Sequence, residues 1–121
     1  VPFIEIIDND CSQEIREVAT ETMTKGLCDA YGISADIVTC YYFSAPANSY
    51  GHAGKFGTCA EIYRFFIKVH AFPRPQKAKA EAARAITAAA VKAYNADPKH
   101  VIVYFCDREP SDAFHAGVAS T

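Results

Sequence analysis

The sequence predicts an α+β chain in which two β-α-β repeats build one four-stranded mixed sheet with two helices on one face. Three observations carry that expectation. The segment Ala30-Tyr31-Gly32-Ile33-Ser34-Ala35-Asp36-Ile37-Val38 recurs in outline as Ala93-Tyr94-Asn95-Ala96-Asp97-Pro98-Lys99-His100-Val101-Ile102-Val103, with the Ala-Tyr pairs 63 residues apart. Upstream of each copy lies a helical pattern, itself preceded by an apolar strand. A β-α-β crossover is right-handed and makes its strands parallel, so both helices fall on one side of a joined sheet. The 121 residues form a single domain, with repeat one over about 1–45, a connector over about 46–60 and repeat two over about 61–121.

The first strand starts at the first residue, in Val1-Pro2-Phe3-Ile4-Glu5-Ile6-Ile7. Ser12 is placed to cap the next helix, whose buried face carries Ile15, Val18, Ala19, Met23, Leu27 and Ala30. Gly32 suits its stop. Ile37 to Phe43 is rich in β-branched and aromatic residues and reads as a strand. Ser44-Ala45-Pro46-Ala47-Asn48-Ser49-Tyr50-Gly51 is loop chemistry, and the long connector holds Gly51, Gly54 and Gly57. Irregular stretches of that length are more often functional or interface-forming than idle. Ile62 to Ala71 alternates Tyr63, Phe65, Ile67, Val69 and Ala71 against Arg64, Lys68 and His70, the period of a strand. Pro73 and Pro75 bracket Arg74, and Lys77 to Tyr94 forms an alanine-rich helix whose small face permits close packing. Asn95 to Pro98 ends it, and Val101 to Cys106 is the last strong strand.

A chain of this length buries roughly 65% of its unfolded surface, and 50% apolar residues supply the core. The net charge of -2 gives no global field favouring nucleic acid or an anionic membrane. No apolar run approaches the ~18 residues that span a bilayer, and the start lacks a secretory pattern. The expectation is a soluble, cytoplasmic protein. Cys11, Cys28, Cys40, Cys59 and Cys106 are odd in number, spread apart and read as reduced thiols. No C-x-x-C pair occurs, and His52, His70, His100 and His115 lack the helical spacing of metal ligands, so no metal is expected.

Two expectations concern the edges of the fold. A free α-amine on an ordered Val1 titrates near about 7.7 to 8.0 and is able to act as a base or nucleophile near neutral pH. Both phases of the Ile62 to Phe72 strand carry aromatics, and Tyr41, Tyr42 and Phe43 run consecutively, so aromatics are expected on the sheet face away from the helices. Such a face packs against other subunits, most simply in a homotrimer closing three sheets around an axis.

Two β-α-β halves, an ordered amino terminus and the turn in Val69-His70-Ala71-Phe72-Pro73-Arg74 resemble the tautomerase superfamily over nearly the whole chain. Pro46-Ala47-Asn48 and His100-Val101-Ile102-Val103-Tyr104-Phe105 carry the resemblance further, toward the fused-repeat cis-3-chloroacrylic acid dehalogenase and malonate semialdehyde decarboxylase types. The resemblance implies a cofactor-free enzyme with an amino-terminal proline as acid or base and arginines holding a small carboxylate substrate. By motif, Arg74 matches a carboxylate-binding arginine, Lys77 a second arginine and Tyr104 a water-placing tyrosine. His115 falls where the dehalogenase has a water-activating glutamate.

The chain departs from that pattern at its start. Counting back from Cys11-Ser12 without gaps puts Val1 in the proline position, and a slip of one residue puts Pro2 there. Only Val1 offers an amine, because the nitrogen of Pro2 is an amide. Cys11 and Cys28 replace an arginine and a histidine of the relatives. His70 and Asp36 read as structural, Asp36 because Asp97 repeats it at a turn. The expected activity is keto-enol tautomerisation or hydration of a 2-oxo acid or unsaturated carboxylate. The alternative is a non-catalytic trimeric binding protein that lacks the proline.

Overall fold

The computed structural model describes residues 1–120. Its main sheet contains β1 (Phe3–Asp8), β2 (Thr39–Ser44), β5 (Phe65–Ala71) and β6 (Val101–Asp107), in the order β2-β1-β5-β6. The outer pairs are parallel and the central β1–β5 pair is antiparallel, so the sheet is mixed. Helices α1 (Gln13–Tyr31) and α2 (Gln76–Tyr94) provide the two crossovers. Two short ribbons complete the chain, β3 (Gly51–His52) with β4 (Lys55–Phe56) and β7 (Phe114–His115) with β8 (Val118–Ala119).

Ser12 caps α1, its hydroxyl accepting from the Ile15 N–H at 3.4 Å. Gly32 ends α1 in the left-handed region at φ 66°, and Asn95 ends α2 at φ 55°. Alternation along β1 sends Ile4 and Ile6 into a core shared with Met23, Leu27, Ile67 and Ile86, all fully buried. The small residues of α2 let the helices meet closely. A Cβ added at Gly26 would lie 2.7 Å from that of Ala85, so this contact admits no larger residue at position 26 without movement.

Strand boundaries differ from expectation at three places. β1 starts at Phe3, because Pro2 has no N–H to give and contributes only its carbonyl, which accepts from Thr39. Residues 35–37 form a 3-10 turn, so β2 starts at Thr39. Residues 62–64 lie outside β5, because the Tyr50 hydroxyl takes their backbone groups, donating to the Ile62 carbonyl at 3.0 Å and accepting from the Arg64 N–H at 2.9 Å.

The spacing of 63 residues runs further than the helix ends. Gln13 and Gln76 open the helices, and His52-Ala53-Gly54 and His115-Ala116-Gly117 are identical turns of the two ribbons. Ala53 and Ala116 both take positive φ, 55° and 52°. The connector therefore carries the same elements that follow β6. With Tyr41, Phe43 and Tyr104 exposed, the sheet face opposite the helices is bare in the single chain.

Candidate active site

The amino-terminal end of β1 and the carboxyl ends of β5 and β6 meet at one edge of the domain, as antiparallel pairing of β1 with β5 requires. A cavity of about 470 Å³ opens there. Val1, Pro2, Phe3, Phe72 and Arg74 line it, and Phe114 and His115 of the β7–β8 ribbon contribute as well. Val1 is 66% exposed at the lip, while Pro2 is buried.

Arg74 is held by its surroundings. Its Nη1 donates to the Phe72 carbonyl at 2.9 Å, and its guanidinium lies 4.6 Å from the centroid of the Tyr31 ring. Burial pushes the Tyr31 phenol up, while the Arg74 charge pulls it down, so the ring is neutral where the cation rests on it. No carboxylate among the described residues pairs with Arg74. An oriented, uncompensated guanidinium in a cavity is a receptor for a planar anion. Arg108 and Asp112, from the segment after β6, also line the cavity. His70 lines it as well and joins Glu5 through Nε2 and Oε1 at 2.9 Å.

A second polar cluster occupies the opposite end of the sheet. Asp8, fully buried, accepts from Arg16 Nη2 at 2.7 Å, Arg16 Nε at 3.1 Å and the Tyr94 hydroxyl at 2.6 Å. Arg16 also donates to Ser44 Oγ at 2.7 Å. The Asp8 hydrogen bonds raise the Arg16 guanidinium further above its usual range, and burial followed by the Asp8 carboxylate raises the Tyr94 phenol. Cys11 sits 3.6 Å from Asp8, its thiol raised first by burial and then by that charge. Such a thiol stays protonated and unreactive at neutral pH. Tyr50, Tyr63, Phe65 and Tyr94 form an aromatic row beside the cluster, stacked, edge-on and tilted in turn, with centroids 4.4, 5.0 and 4.6 Å apart. Charges and volume are both satisfied there, which leaves the Val1 end as the candidate site.

No protein-family model and no curated protein matches the chain. Solved structures do. A native fused 4-OT superposes with a TM-score of 0.91 at 16% identity, over 98% of this chain and 95% of that one. A member of the cis-3-chloroacrylic acid dehalogenase family gives 0.81 at 16% identity, over 97% and 82%. Macrophage migration inhibitory factor of Toxoplasma gondii gives 0.76 at 15% identity, over 97% and 98%. The chain has the tautomerase fold.

Within the tautomerase fold, the structure brings Val1, Pro2, Arg74 and His115 to one cavity. Lys77 is exposed on the first turn of α2 and does not line it. Tyr104 is 57% exposed on the bare sheet face, edge-on to Phe66 at 4.7 Å, and also lies outside the cavity of the single chain. Sequence reasoning passed over Arg108 and Asp112, which sit in an irregular segment with no motif. It treated His70 as structural and did not single out Glu5. The available signal was that each is a polar residue flanked by apolar neighbours in its strand, in the phase that faces away from the helices.

Among the described residues, no group of three or more His, Cys, Asp or Glu is arranged to hold a metal ion. No helix of the described residues is long and apolar enough to cross a membrane. All five cysteines are unpaired.

Proposed function

We propose that the chain is a cofactor-independent tautomerase-like enzyme acting on a small 2-oxo acid or unsaturated carboxylate. The observation that carries the reading is the shared cavity of Val1 and an Arg74 that has no carboxylate partner among the described residues. Arg74 holds the substrate carboxylate and offsets enolate charge as it develops. The Val1 amine, as the mature terminus, moves a proton between carbon and the enol, with His115 in reach at the rim. Pro2 fixes the approach of Val1 and takes no proton itself. In the hydration variant of this chemistry, Tyr104 places water and Lys77 adds a point charge, both reaching a cavity from a neighbouring subunit.

That last step requires an oligomer, and the reading includes a homotrimer. Tyr41, Phe43 and Tyr104, each more than half exposed on one sheet face, support it. Trimers are reported for the solved fused 4-OT proteins of the same fold. A second reading, a trimeric binding protein without turnover, is favoured by the distance of Lys77 and Tyr104 from the cavity of a single chain.

Enol-to-keto turnover of phenylpyruvate separates the two. Arg74→Ala and acetylation of the terminus are each expected to lower kcat/KM about 100-fold, in the range for removal of a charge-stabilising or proton-transfer group. Unchanged rates in both would sink the enzymatic reading. Intact mass establishes whether Val1 carries a free amine, and light scattering in solution reads the trimer mass.

A further inference from the structure

Arg16 and Lys79 are equivalent residues, 63 positions apart, and each is the fourth residue of its helix. A cation in the first turn of a helix meets the positive end of the dipole, and an acidic partner offsets that cost. The two cations find their partner on different strands. Arg16 takes Asp8, which ends the inner strand β1, and donates onward to Ser44 at the end of the outer strand β2. In the second repeat Ala71 stands where Asp8 does, and Asp107 stands where Ser44 does. Lys79 Nζ accordingly donates to Asp107 Oδ2, at the end of the outer strand β6. The carboxylate of the second repeat thus lies one strand further out, at the edge of the sheet.

That placement bears on Arg74. Asp107 lies beside the cavity-lining Ala71 in the register of β5 and β6, and the Arg108 N–H donates to the Ala71 carbonyl at 2.9 Å. Arg74 follows Ala71 by three residues and rests 4.6 Å from the centroid of the Tyr31 ring. Burial raises the Tyr31 phenol, the Arg74 charge lowers it and the Asp107 charge raises it, so both ions act on one ring. Arg74 and Asp107 nevertheless form no ion pair, because Lys79 holds the carboxylate. The Lys79 and Asp107 side chains are 21% and 34% exposed, so water screens their charges only in part. Asp112 also lines the cavity, on an exposed segment where screening is stronger.

We infer that Lys79 is a positioning residue of the site: by holding Asp107 at the sheet edge, it keeps Arg74 free for the substrate carboxylate. This deepens the proposed function and rests on it. Without the ammonium, Asp107 competes for a guanidinium that carboxylates engage bidentately, and it repels an incoming anion. Both effects weaken the binding of substrate and transition state alike, so they raise KM and leave kcat in place. Lys79 itself touches no substrate and moves no proton.

The test uses the full chain. Lys79→Met is expected to raise KM for phenylpyruvate about 10-fold with little change in kcat. Adding Asp107→Asn removes the competing charge, and the double variant is expected to return to within about twofold of the wild-type KM. Lys79→Arg, which copies Arg16, keeps the wild-type KM. A wild-type KM in Lys79→Met overturns the inference. So does a double variant as weak as Lys79→Met, since a purely structural pair gains nothing from losing its second partner. Calorimetric titration with 3-phenyllactate repeats the comparison without turnover, and its affinity is expected to fall and recover in the same order. If Arg74→Ala loses this binding while Lys79→Met retains it in full, the Lys79 role is overturned and the Arg74 reading survives. If Arg74→Ala binds and turns over as wild type does, the proposed function itself fails, and the Lys79 role fails with it.

Discussion

Residues 63 apart occupy equivalent places at opposite ends of the sheet, yet Asp8 and Cys11 at one end correspond to Ala71 and Arg74 at the other. At the Asp8 end, a buried carboxylate accepts from Arg16 and Tyr94, Arg16 donates in turn to Ser44, and Tyr63 stacks on Tyr50 nearby. At the Arg74 end, an alanine replaces the carboxylate, and Val1 and Pro2 line the cavity that Arg74 also lines. Among the described residues, the positive charge there has no carboxylate partner. The difference teaches that equivalent ends of one scaffold hold either a closed ion pair or an arginine facing a cavity, according to whether a carboxylate or an alanine ends the strand.

Substitutions at paired positions sharpen or break that contrast. The largest effect on stability is expected from Asp8→Ala, which leaves Arg16 uncompensated and costs about 3–5 kcal/mol in urea unfolding, nearer the lower figure because Arg16 is 31% exposed. A loss below about 1 kcal/mol would mean that the pair does not hold that end together. Next comes Arg74→Ala, expected to lower turnover about 100-fold while leaving the unfolding midpoint in place. Cys11→Ala at the equivalent position leaves turnover unchanged. Equal losses from both would erase the distinction between the two ends.

Tyr31 and Tyr94 are the cleanest matched pair. The Tyr94 hydroxyl donates to Asp8, whereas that of Tyr31 is buried without a partner. Tyr94→Phe is expected to cost about 1.5–3 kcal/mol, the range for a hydrogen bond to a charged group, and Tyr31→Phe to be near neutral or slightly stabilising. The smallest effect is a pH dependence at the closed end. Burial and the Asp8 charge push the Tyr63 phenol up to about 12 from 10.0. A folded pKa above the unfolded one contributes stability in full below pH 10.0, and that contribution is lost as pH rises toward about 12. Tyr63→Phe is expected to flatten the decline of stability over that window, measured by urea midpoints at successive pH values.

The elements that local chemistry dictates were legible. Ser12 and Gly32 mark helix ends by their own side chain and backbone preferences, and Arg74 stands out between two prolines. The superfamily resemblance also pointed to the tautomerase fold, which the solved structures share. What stayed hidden depends on partners far along the chain. Glu5 meets His70 only through the antiparallel offset of β1 against β5, which no local pattern specifies. The displaced start of β5 depends on Tyr50, whose hydroxyl reaches backbone groups of residues 62 and 64. The two ribbons escaped notice because their strands are two residues long and their turns put alanine, rather than asparagine or glycine, at the first positive φ.

Pro2 gives the terminus a thermodynamic character of its own. Its ring locks one backbone torsion before folding begins, so fewer conformations of the unfolded chain are surrendered when the segment docks. The Thr39 N–H then anchors its carbonyl in the sheet. Val1 is thereby presented on a short stiff stalk rather than a tether. The entropy of holding Val1 at the cavity lip is met largely by a covalent ring rather than by contacts from the neighbouring side chains.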